Sequence, residues 1–470
     1  MGTGQDHDEL KRMAEEAGQG HLFHFWGDLD QDGRTRLAGE IASLDFPRIR
    51  QLGELLGRSE PKAAESFEPP ELFPLERSPE LQTRAEQAIE RGSELLSSGS
   101  VGYVLVAGGQ GSRLGYDGPK GKFRVGPVTD RTLFQWHAAR LAAAAERSGA
   151  ATAWYVMTSA SNHAETQAYF EAQDWFGLGE SNVLLFQQRM LPALGTDGRV
   201  LMAAPDRLFL APNGHGGTLD ALRASGALEH AASRGIEHLS YFQVDNPLAR
   251  PADPLFLGLH AEAGAEMSSK VVSKRDAGEK VGVIGVADGV LGCIEYSDLP
   301  DDLRLATDGG GQLLFRAGNI AAHVIDRAFI DRLTSGGDLQ LPWHLARKRI
   351  STIDESGSPV EVDGVKFETF VFDALGEARA SVTLEVDRAL EFSPVKNAEG
   401  QDSPASCRAD LGALFAGWAS RAGLDAPPVA EDGSHRIEVD PRFAEDEPEF
   451  LRRSPAGPDT HPTGGHVYQP

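Results

Sequence analysis

A glycine-rich loop with two cations follows a short apolar run near residue 105. Residues 103–107 are apolar and predict a buried strand, and three of the next four residues, 108–111, are glycine. Because glycine has no Cβ, a ligand can approach the backbone N–H groups of such a loop, and these groups bind anions. Arg113 and Lys120 add positive charge to the loop. We therefore interpret it as a phosphate-binding site, with an ordinary strand-to-helix turn as the alternative.

The loop differs from the two common phosphate-binding patterns. A Walker loop requires Ser or Thr after Gly-Lys, and Lys122 is followed by Phe123. The dinucleotide pattern G-x-G-x-x-G would require its third glycine one residue before Gly115. An Ala-rich stretch at 132–147 predicts the helix that follows. The order strand, loop and helix therefore still favours phosphate binding.

Further strands are predicted at 154–157, 183–186 and 239–244, with helical patterns between them. This alternation predicts a parallel sheet with helices on both faces, in which ligands bind outside the carboxyl ends of the strands. Paired amides, Gln187 and Gln188, follow one strand, where they either read the edge of a base or are solvated loop glutamines. Asp245 follows another, where a carboxylate either binds Mg²⁺ beside a phosphate group or starts a turn before Pro247.

The composition indicates a folded chain that repels polyanions. Of 470 residues 40% are hydrophobic, and 45 basic against 70 acidic side chains give a net charge of −25. This charge disfavours nucleic acid and anionic membranes as partners, so a phosphorylated substrate would depend on the local cations of the loop. Two cysteines are too few for a disulfide framework, and the first residues lack the apolar core of a signal peptide. We therefore expect a cytoplasmic protein.

Residues 106–115, Val-Ala-Gly-Gly-Gln-Gly-Ser-Arg-Leu-Gly, together with Pro119 and Lys120, resemble the signature of the eukaryotic-type UDP-sugar pyrophosphorylases. Within that family the chain looks closest to the UDP-N-acetylglucosamine (UDP-N-acetylhexosamine) pyrophosphorylases. The resemblance implies an α/β fold with a Rossmann-like mixed sheet of the nucleotidyltransferase, glycosyltransferase-A-like, type. It also implies transfer of a uridylyl group from UTP to a sugar 1-phosphate, with release of pyrophosphate.

The resemblance further implies a Mg²⁺ cofactor, held by Asp245, and a set of site residues. The residues matching the family's UTP contacts are Val106, Ala107, Gly108, Gly109, Gln110, Gly111, Lys120, Gln188, Gly214 and Asp245. Those matching its sugar contacts are His215, Glu295, Asn319 and Lys396. Those matching its catalytic cations are Arg113, Lys120 and Lys396.

Two positions depart from the pattern of the N-acetylglucosamine enzymes. The residue after the paired amides is usually glycine in the family and is Arg189 here. The position of His215 is usually asparagine in the N-acetylglucosamine enzymes, and usually histidine in the UDP-glucose and broad-specificity branches. The resemblance therefore leaves two main substrates, N-acetylglucosamine 1-phosphate and glucose 1-phosphate.

Two of the sugar-site candidates have local structural alternatives. Glu295 ends a predicted hairpin at 281–296 that turns at an Asp-Gly pair, and its carboxylate faces either a sugar or solvent. Asn319 precedes a predicted helix at 321–333, which its side chain would cap.

Three domains are predicted. Residues 1–100 form an N-terminal helical subdomain and a proline-marked linker that includes Pro61, residues 101–385 the nucleotide- and sugar-binding catalytic domain, and residues 386–470 a C-terminal subdomain. The tail at 454–470, rich in Pro, Gly and His, is expected to be flexible. The pattern does not indicate an oligomeric state, and a monomer is consistent with it.

Two other functions stay open at this point. A UDP-sugar-dependent glycosyltransferase would share the fold but normally carries an Asp-x-Asp metal motif, and here Asp245 is followed by Asn246 and Pro247. A non-catalytic UDP-sugar-binding protein would not require Arg113 and Lys396 in addition to a binding loop. Release of pyrophosphate from UTP and a sugar 1-phosphate separates the three functions.

Overall fold

The computed structural model describes residues 3–57, 64–296, 298–336, 339–425, 427–454, 457–462 and 464–470. Pro61 of the predicted linker lies outside these residues. The α-helices of the described part are α1 (Thr3–Glu16), α2 (Gln31–Ala42), α3 (Phe46–Leu56), α4 (Pro79–Ser97), α5 (Leu133–Ser148), α6 (His163–Ala172), α7 (Gly217–Ala224), α8 (Ala227–Ser233), α9 (Pro254–Glu262), α10 (Asp301–Leu305), α11 (Arg327–Thr334), α12 (Arg388–Glu391), α13 (Pro404–Arg421) and α14 (Glu447–Arg453).

The strands of the described part are β1 (Phe67–Glu68), β2 (Val101–Val106), β3 (Ala153–Thr158), β4 (Val183–Gln187), β5 (Met190–Pro192), β6 (Leu194–Gly195), β7 (Met202–Ala204), β8 (Arg207–Leu208), β9 (Leu210–Pro212), β10 (His238–Gln243), β11 (Met267–Ser273), β12 (Val283–Ala287), β13 (Val290–Ile294), β14 (Ala317–Asp326), β15 (His344–Ile353), β16 (Pro359–Glu368), β17 (Thr383–Val386), β18 (Ile437–Val439), β19 (Asp459–Thr460) and β20 (His466–Tyr468).

A mixed sheet of ten strands forms the centre of the fold. Its main order is β1-β12-β14-β10-β2-β3-β4, with β11 paired to β14 and β17, and β13 paired to β12. β2 pairs in parallel with β10 and β3, β3 pairs in parallel with β4, and β14 runs antiparallel to β10. The carboxyl ends of β10, β2, β3 and β4 therefore lie at one edge, and the predicted mixed α/β fold is confirmed.

The four predicted parallel strands are confirmed because their apolar runs are buried. Every residue of β2 and of β3 is buried, as expected for strands with helices on both faces. The helix after the glycine loop is also confirmed. Its start is fixed by a capping box, in which the Thr132 hydroxyl accepts from the Gln135 N–H and the Gln135 side chain accepts from the Thr132 N–H.

Contacts between Cα atoms divide the chain into two compact units. Unit 1 comprises residues 1–63, 188–217 and 341–371, and unit 2 comprises 64–187, 218–340 and 372–470. Unit 1 buries side chains of α2 and α3, such as Leu37 and Leu52, with strand residues such as Val365. Its strands form a three-stranded sheet β15-β16-β6 and two short pairs. The ten-stranded sheet belongs to unit 2, and the domain boundaries proposed at 100 and 385 stay a prediction.

Unit 2 contains a close contact between two helices. A Cβ added to Gly92 of α4 would overlap the backbone carbonyl of Pro254 at the start of α9, and one added to Gly258 of α9 would overlap the carbonyl of Ala88. These glycines let the two helices approach until their backbones touch. The sequence pattern alone did not indicate this pairing.

Two sequence predictions are wrong. The helix expected at 321–333 does not start there, because β14 continues to Asp326 and pairs with β10 and β11 before α11 begins at Arg327. Asn319 is therefore a strand residue and not a helix cap. The tail is not flexible throughout either, because β20 pairs in parallel with β18, and Tyr468 is buried. No helix among the described residues is both long and apolar enough to cross a bilayer.

Candidate functional site

The glycine loop that follows β2 contains three backbone N–H groups, at 108–110, that a ligand can use. The Ala107 N–H still donates to the Met157 carbonyl at 2.8 Å, as a continuation of the sheet. Among the described residues no acceptor is found for the N–H groups of Gly108, Gly109 and Gln110. These donors lie at the carboxyl-end edge of the parallel strands, where such a row of N–H groups binds anions.

The loop is held in shape from two sides. The Gly111 N–H donates to the Gly118 carbonyl at 2.9 Å, and the Lys120 N–H donates to the Gly109 carbonyl at 3.1 Å. On the other side, Nδ2 of the buried Asn162 donates to the carbonyls of Ala107 at 3.0 Å and Gly109 at 3.3 Å. The carbonyls of Ala107 and Gly109 are thus occupied, which fixes the loop while its N–H groups at 108–110 stay available to a ligand.

Lys120 lies between the loop and the end of β10. Its Nζ is 3.8 Å from Oδ2 of Asp245 and donates to the Val395 carbonyl at 3.3 Å. Both charged side chains are mostly buried, with 16% of Lys120 and 17% of Asp245 exposed. The predicted loop cation and the predicted metal ligand are therefore neighbours.

A second loop, residues 391–397, is tied to the end of β10. The Val395 N–H donates to the Asp245 carbonyl at 2.8 Å. Nδ2 of Asn246 donates to the Glu391 carbonyl at 2.7 Å, and Oδ1 of Asn246 accepts from the Ser393 N–H at 3.1 Å. Lys396, the next residue after Val395, is exposed, with its Nζ 5.4 Å from the centre of the Phe392 ring.

Arg113 lies in a short 3₁₀ turn, residues Ser112–Leu114, that the left-handed Gly115 ends. Its side chain is exposed and makes no hydrogen bond or ion pair with any residue that the structure describes. The guanidinium remains available to an anion bound at the loop.

Glu295 directly follows β13, Asn319 lies in β14, and β12 pairs with both of these strands. Nδ2 of Asn319 is 3.7 Å from Sγ of Cys293, two residues before Glu295. Burial, with the charge of Glu295, raises the pKa of the Cys293 thiol to about 12, so the thiol is neutral. Because Tyr241 of β10 pairs with His323 of β14, Asn319 lies at the same edge of the sheet as Asp245.

A bulge in β14 orients Asn319. The pairing between β11 and β14 shifts at Lys270 and Val271, and Ala321 takes a positive φ of 52°. Oδ1 of Asn319 accepts from the Ala321 N–H at 2.9 Å, and the Asn319 N–H donates to the Gly282 carbonyl at 2.9 Å. A bulge next to a binding edge is a common means of aiming a side chain.

Unit 1 contains Gln188, one of the paired amides, and the segment around Gly214. Nε2 of the buried Gln188 donates to the Gly214 carbonyl at 2.5 Å and to Oδ1 of Asn213 at 3.3 Å. Oε1 of Gln188 has no donor among the described residues. Gly214 has a φ of 79°, and a Cβ there would overlap the Thr369 carbonyl, so this position requires glycine.

His215 is partly buried in unit 1 and is neutral. Its ring is 5.2 Å from that of Phe370, and burial, with a smaller contribution from His344, lowers its pKa to about 4. The Val371 N–H donates to Nδ1 at 3.2 Å. The proton of the neutral imidazole is therefore on Nε2, which makes Nε2 a donor.

The structure thus brings together Gly108, Gly109, Gln110, Lys120 and Asp245, and it places Asn319 in contact with Cys293, whose thiol also experiences the charge of Glu295. Reasoning from the sequence missed Asn162 and gave no role to Asn246. Both could have been found by applying the strand-end rule to β3 as well as β10. Their partners, 53 and 145 residues distant, could not have been found in that way.

The chain matches the family model described as UTP–glucose-1-phosphate uridylyltransferase over residues 68–405. The chain belongs to this family. It is therefore a nucleotidyltransferase of the uridylyltransferase type that forms a UDP-sugar. The resemblance stated from the glycine loop and the fold class are both confirmed.

Relatives are similar over most of the chain. A mouse protein named UDP-N-acetylhexosamine pyrophosphorylase-like protein 1 is 37% identical over 437 residues, which cover 88% of this chain and 86% of that protein. The UDP-N-acetylglucosamine pyrophosphorylase of Saccharomyces cerevisiae is 34% identical over 90% of this chain and 93% of its own length. The crystal structure of the uridine diphosphate N-acetylglucosamine pyrophosphorylase from Trypanosoma brucei has a TM-score of 0.80 and 27% identity, covering 97% and 96% of the two chains.

Proposed function

We propose that the chain transfers the uridylyl group of UTP to N-acetylglucosamine 1-phosphate, giving UDP-N-acetylglucosamine and pyrophosphate. Two relatives that share about a third of its residues are named for UDP-N-acetylglucosamine. The observation that carries the proposal is the row of unused N–H groups at 108–110 beside Lys120 and Asp245.

In this reaction a phosphate oxygen of the sugar 1-phosphate attacks the α-phosphorus of UTP, and the bond to pyrophosphate breaks. No protein nucleophile is needed, so the protein acts by neutralising charge and aligning the two anions. The N–H groups of Gly108, Gly109 and Gln110 donate to phosphate oxygens, and Lys120 carries positive charge to the same place. Arg113 and Lys396, which are exposed, approach the bound anions from the two loops.

Asp245 is the residue that would hold Mg²⁺. Its side chain fits this ion, because Mg²⁺ uses one or two carboxylates together with substrate phosphates and waters, and Asp245 lies 3.8 Å from Lys120 of the glycine loop. When bound, Mg²⁺ neutralises negative charge on the phosphates. Lys120, 3.8 Å from Asp245, exchanges its carboxylate partner for a phosphate oxygen when the substrate binds.

Gln188 can distinguish uracil from cytosine by hydrogen bonding. Because its Nε2 is already bonded to Gly214 and Asn213, Oε1 is the group left for a base. Oε1 accepts a hydrogen bond from N3–H of uracil, whereas N3 of cytosine is itself an acceptor. We therefore expect UTP to be used in preference to CTP.

Candidate sugar contacts lie in each unit: Glu295, Asn319 and Lys396 in unit 2, and His215 in unit 1. Nε2 of His215 donates, the Glu295 carboxylate accepts from hydroxyl groups, and Asn319 is aimed by the bulge of β14. The histidine at 215, typical of the glucose and broad-specificity branches, is the observation that favours glucose 1-phosphate as a second substrate.

The test is a panel of sugar 1-phosphates, N-acetylglucosamine, glucose and galactose, each mixed with UTP, Mg²⁺ and the full chain, and scored for pyrophosphate. The proposal predicts the highest kcat/KM with N-acetylglucosamine 1-phosphate, and CTP in place of UTP serves as the control. A higher kcat/KM with glucose 1-phosphate would show that glucose 1-phosphate, the second candidate, is the preferred substrate. If none of the sugar 1-phosphates leads to release of pyrophosphate, the chain is not a uridylyltransferase for these sugars and the proposal is contradicted.

We place this enzyme in the cytoplasm, because its two cysteines, Cys293 and Cys407, are unpaired, as thiols are in a reducing compartment. A monomer is sufficient for the reaction as proposed, since every residue given a role lies in one chain. Neither nucleic acid nor a membrane has a part in it.

A further inference from the structure

Three metal-binding side chains converge in unit 2, away from the phosphate loop. Nδ1 of His238 is 2.6 Å from Oδ1 of Asp326, and Nε2 of His260 is 2.9 Å from the same oxygen. All three ligand atoms lie within 4.8 Å of one another. Two imidazole nitrogens and one carboxylate oxygen form a ligand set that binds zinc.

Three separate elements supply these ligands. His238 begins β10, Asp326 ends β14 as its paired residue, and His260 lies in α9. His238 and Asp245 lie at opposite ends of β10, whose six residues span about 20 Å. The cluster is therefore distinct from the proposed catalytic site, and nothing in the uridylyl transfer uses it.

Two of the three separations between the ligand atoms are close to those around a tetrahedral ion, and the third is at most 4.8 Å. Zinc bonds to nitrogen and oxygen at about 2.0–2.2 Å, so ligand atoms around it are roughly 3.3 Å apart. The two observed distances to Oδ1 of Asp326, 2.6 and 2.9 Å, need to lengthen by less than an ångström. His260 is fully buried, whereas 30% of Asp326 is exposed, so water can reach a fourth position.

A neighbouring hydroxyl orients the buried ligand. Oγ of Ser268 is 2.8 Å from Nδ1 of His260, and it also accepts from the Val382 N–H at 3.2 Å. As an acceptor from Nδ1–H, this hydroxyl leaves the lone pair of Nε2 directed at the cluster. A metal-bound histidine is usually held in this way through its second nitrogen.

We propose that His238, His260 and Asp326 bind a zinc ion, which joins α9 to β10 and β14 and stabilises this end of the sheet. The alternative is a hydrogen-bonded cluster without a metal, in which Asp326 accepts from both histidines. The two arrangements differ in zinc stoichiometry and in the response of stability to zinc, and neither readout depends on enzyme activity.

The experiment measures zinc on the full chain after removal of metals with a chelator. Zinc is added, unbound metal is removed by gel filtration, and the bound metal is determined by mass spectrometry. The expected result is one zinc per wild-type chain and a higher unfolding temperature in its presence. Cobalt in place of zinc should give the visible absorption of a four-coordinate N/O site.

Four variants separate the cluster from other zinc sites. His260→Ala and Asp326→Asn should lose the bound zinc, and Asp326→Asn keeps the shape of the side chain in case His260→Ala does not fold. Ser268→Ala should weaken zinc binding by about tenfold or more. The control His24→Ala, at an exposed histidine, should retain it. No retained zinc in the wild type, or equal zinc in folded Asp326→Asn, would overturn the proposal.

Discussion

Two lysines of the glycine loop have different partners. Lys120 contacts Asp245 and the Val395 carbonyl, whereas Nζ of Lys122 donates to Glu165 at 2.5 Å. Only Lys120 therefore has its charge beside the unused N–H groups. We expect Lys120→Ala to lower kcat by about 100- to 1000-fold, the usual effect of losing one group that stabilises developing charge.

Lys122→Ala is the matched control, because it removes the same charge two residues away. It should keep kcat within a few-fold of the wild type, as measured by pyrophosphate release under saturating substrates. Near-normal turnover in Lys120→Ala, or equal losses in the two variants, would contradict the role given to Lys120.

Asp245 is the residue for which a metal-dependent change is expected. Asp245→Asn keeps the size of the side chain but removes the charge that attracts Mg²⁺. The half-saturating Mg²⁺ concentration should rise by about tenfold or more, the scale of change when a metal site loses a partner. A Mg²⁺ titration of activity checks this, with Asp410→Asn as a control, since Asp410 instead accepts from the Ser393 hydroxyl. An unchanged titration curve in Asp245→Asn would remove Asp245 from the metal site.

At the scale of elements, Asn246 connects β10 to the loop at 391–397. It holds Glu391 and Ser393 through both ends of its amide, so it positions Lys396 without touching a substrate. Asn246→Ala and Lys396→Ala should each lower kcat. The loss of transition-state stabilisation in the double variant, calculated from kcat, should be smaller than the sum of the losses in the two single variants. The expected coupling is about 0.5–3 kcal/mol.

The control cycle combines Asn246→Ala with Lys122→Ala, and these effects should add. Each cycle is measured as kcat for the four proteins with the same sugar 1-phosphate. Strict additivity of Asn246→Ala and Lys396→Ala would show that the amide does not act through the lysine.

The contact of α4 with α9 gives a prediction on stability. A methyl group at Gly92 would meet the Pro254 carbonyl, so Gly92→Ala should lower the free energy of unfolding by about 1–3 kcal/mol. Gly53 in α3 has open space around its Cβ position, and Gly53→Ala should be neutral or stabilise by up to about 1 kcal/mol. Urea unfolding followed by circular dichroism compares them, and equal midpoints would contradict the close packing.

The sequence predicted elements where the local pattern and the tertiary environment agree. The apolar runs of β2 and β3 are buried in the sheet, and Thr132 with Gln135 starts α5 within four residues. The helix expected at 321–333 failed because residues 322–325 pair as a strand with β11, and pairing with a strand some 50 residues earlier leaves no local signal.

The candidate site was predictable in part for the same reason. The glycines and cations of the first loop lie within 13 residues of one another, so their chemistry is visible in the sequence. The residues that support this loop and the loop at 391–397 are not visible in the sequence. Asn162 reaches the glycine loop from the end of β3, and Asn246 reaches a segment 145 residues later.

At the scale of the whole molecule, a buried histidine makes stability depend on pH. His137 is fully buried in α5, and burial lowers its pKa to about 4 from the ordinary 6.5, although Nε2 donates to the Val244 carbonyl. Between these values the unfolded chain binds the proton and the folded chain does not. The free energy of unfolding therefore falls as the pH decreases through this window, by up to about 1.4 kcal/mol per pH unit.

His137→Gln keeps a donor for Val244 and removes the titration. Urea midpoints at about pH 7 and about pH 5 should differ less in this variant than in the wild type, while the exposed His24→Gln should behave as the wild type does. An equal pH response in His137→Gln and the wild type would show that His137 does not contribute.

The acidic chain requires a local site for an anionic substrate. With a net charge of −25, the molecule repels nucleotides at long range, and binding depends on the N–H row, Lys120 and the ion at Asp245. A crystal structure of the full chain with UTP and Mg²⁺ tests this most directly. We predict the triphosphate within hydrogen-bonding distance of the N–H groups of Gly108, Gly109 and Gln110, with Lys120 on a phosphate oxygen. A triphosphate bound away from this loop would contradict the account.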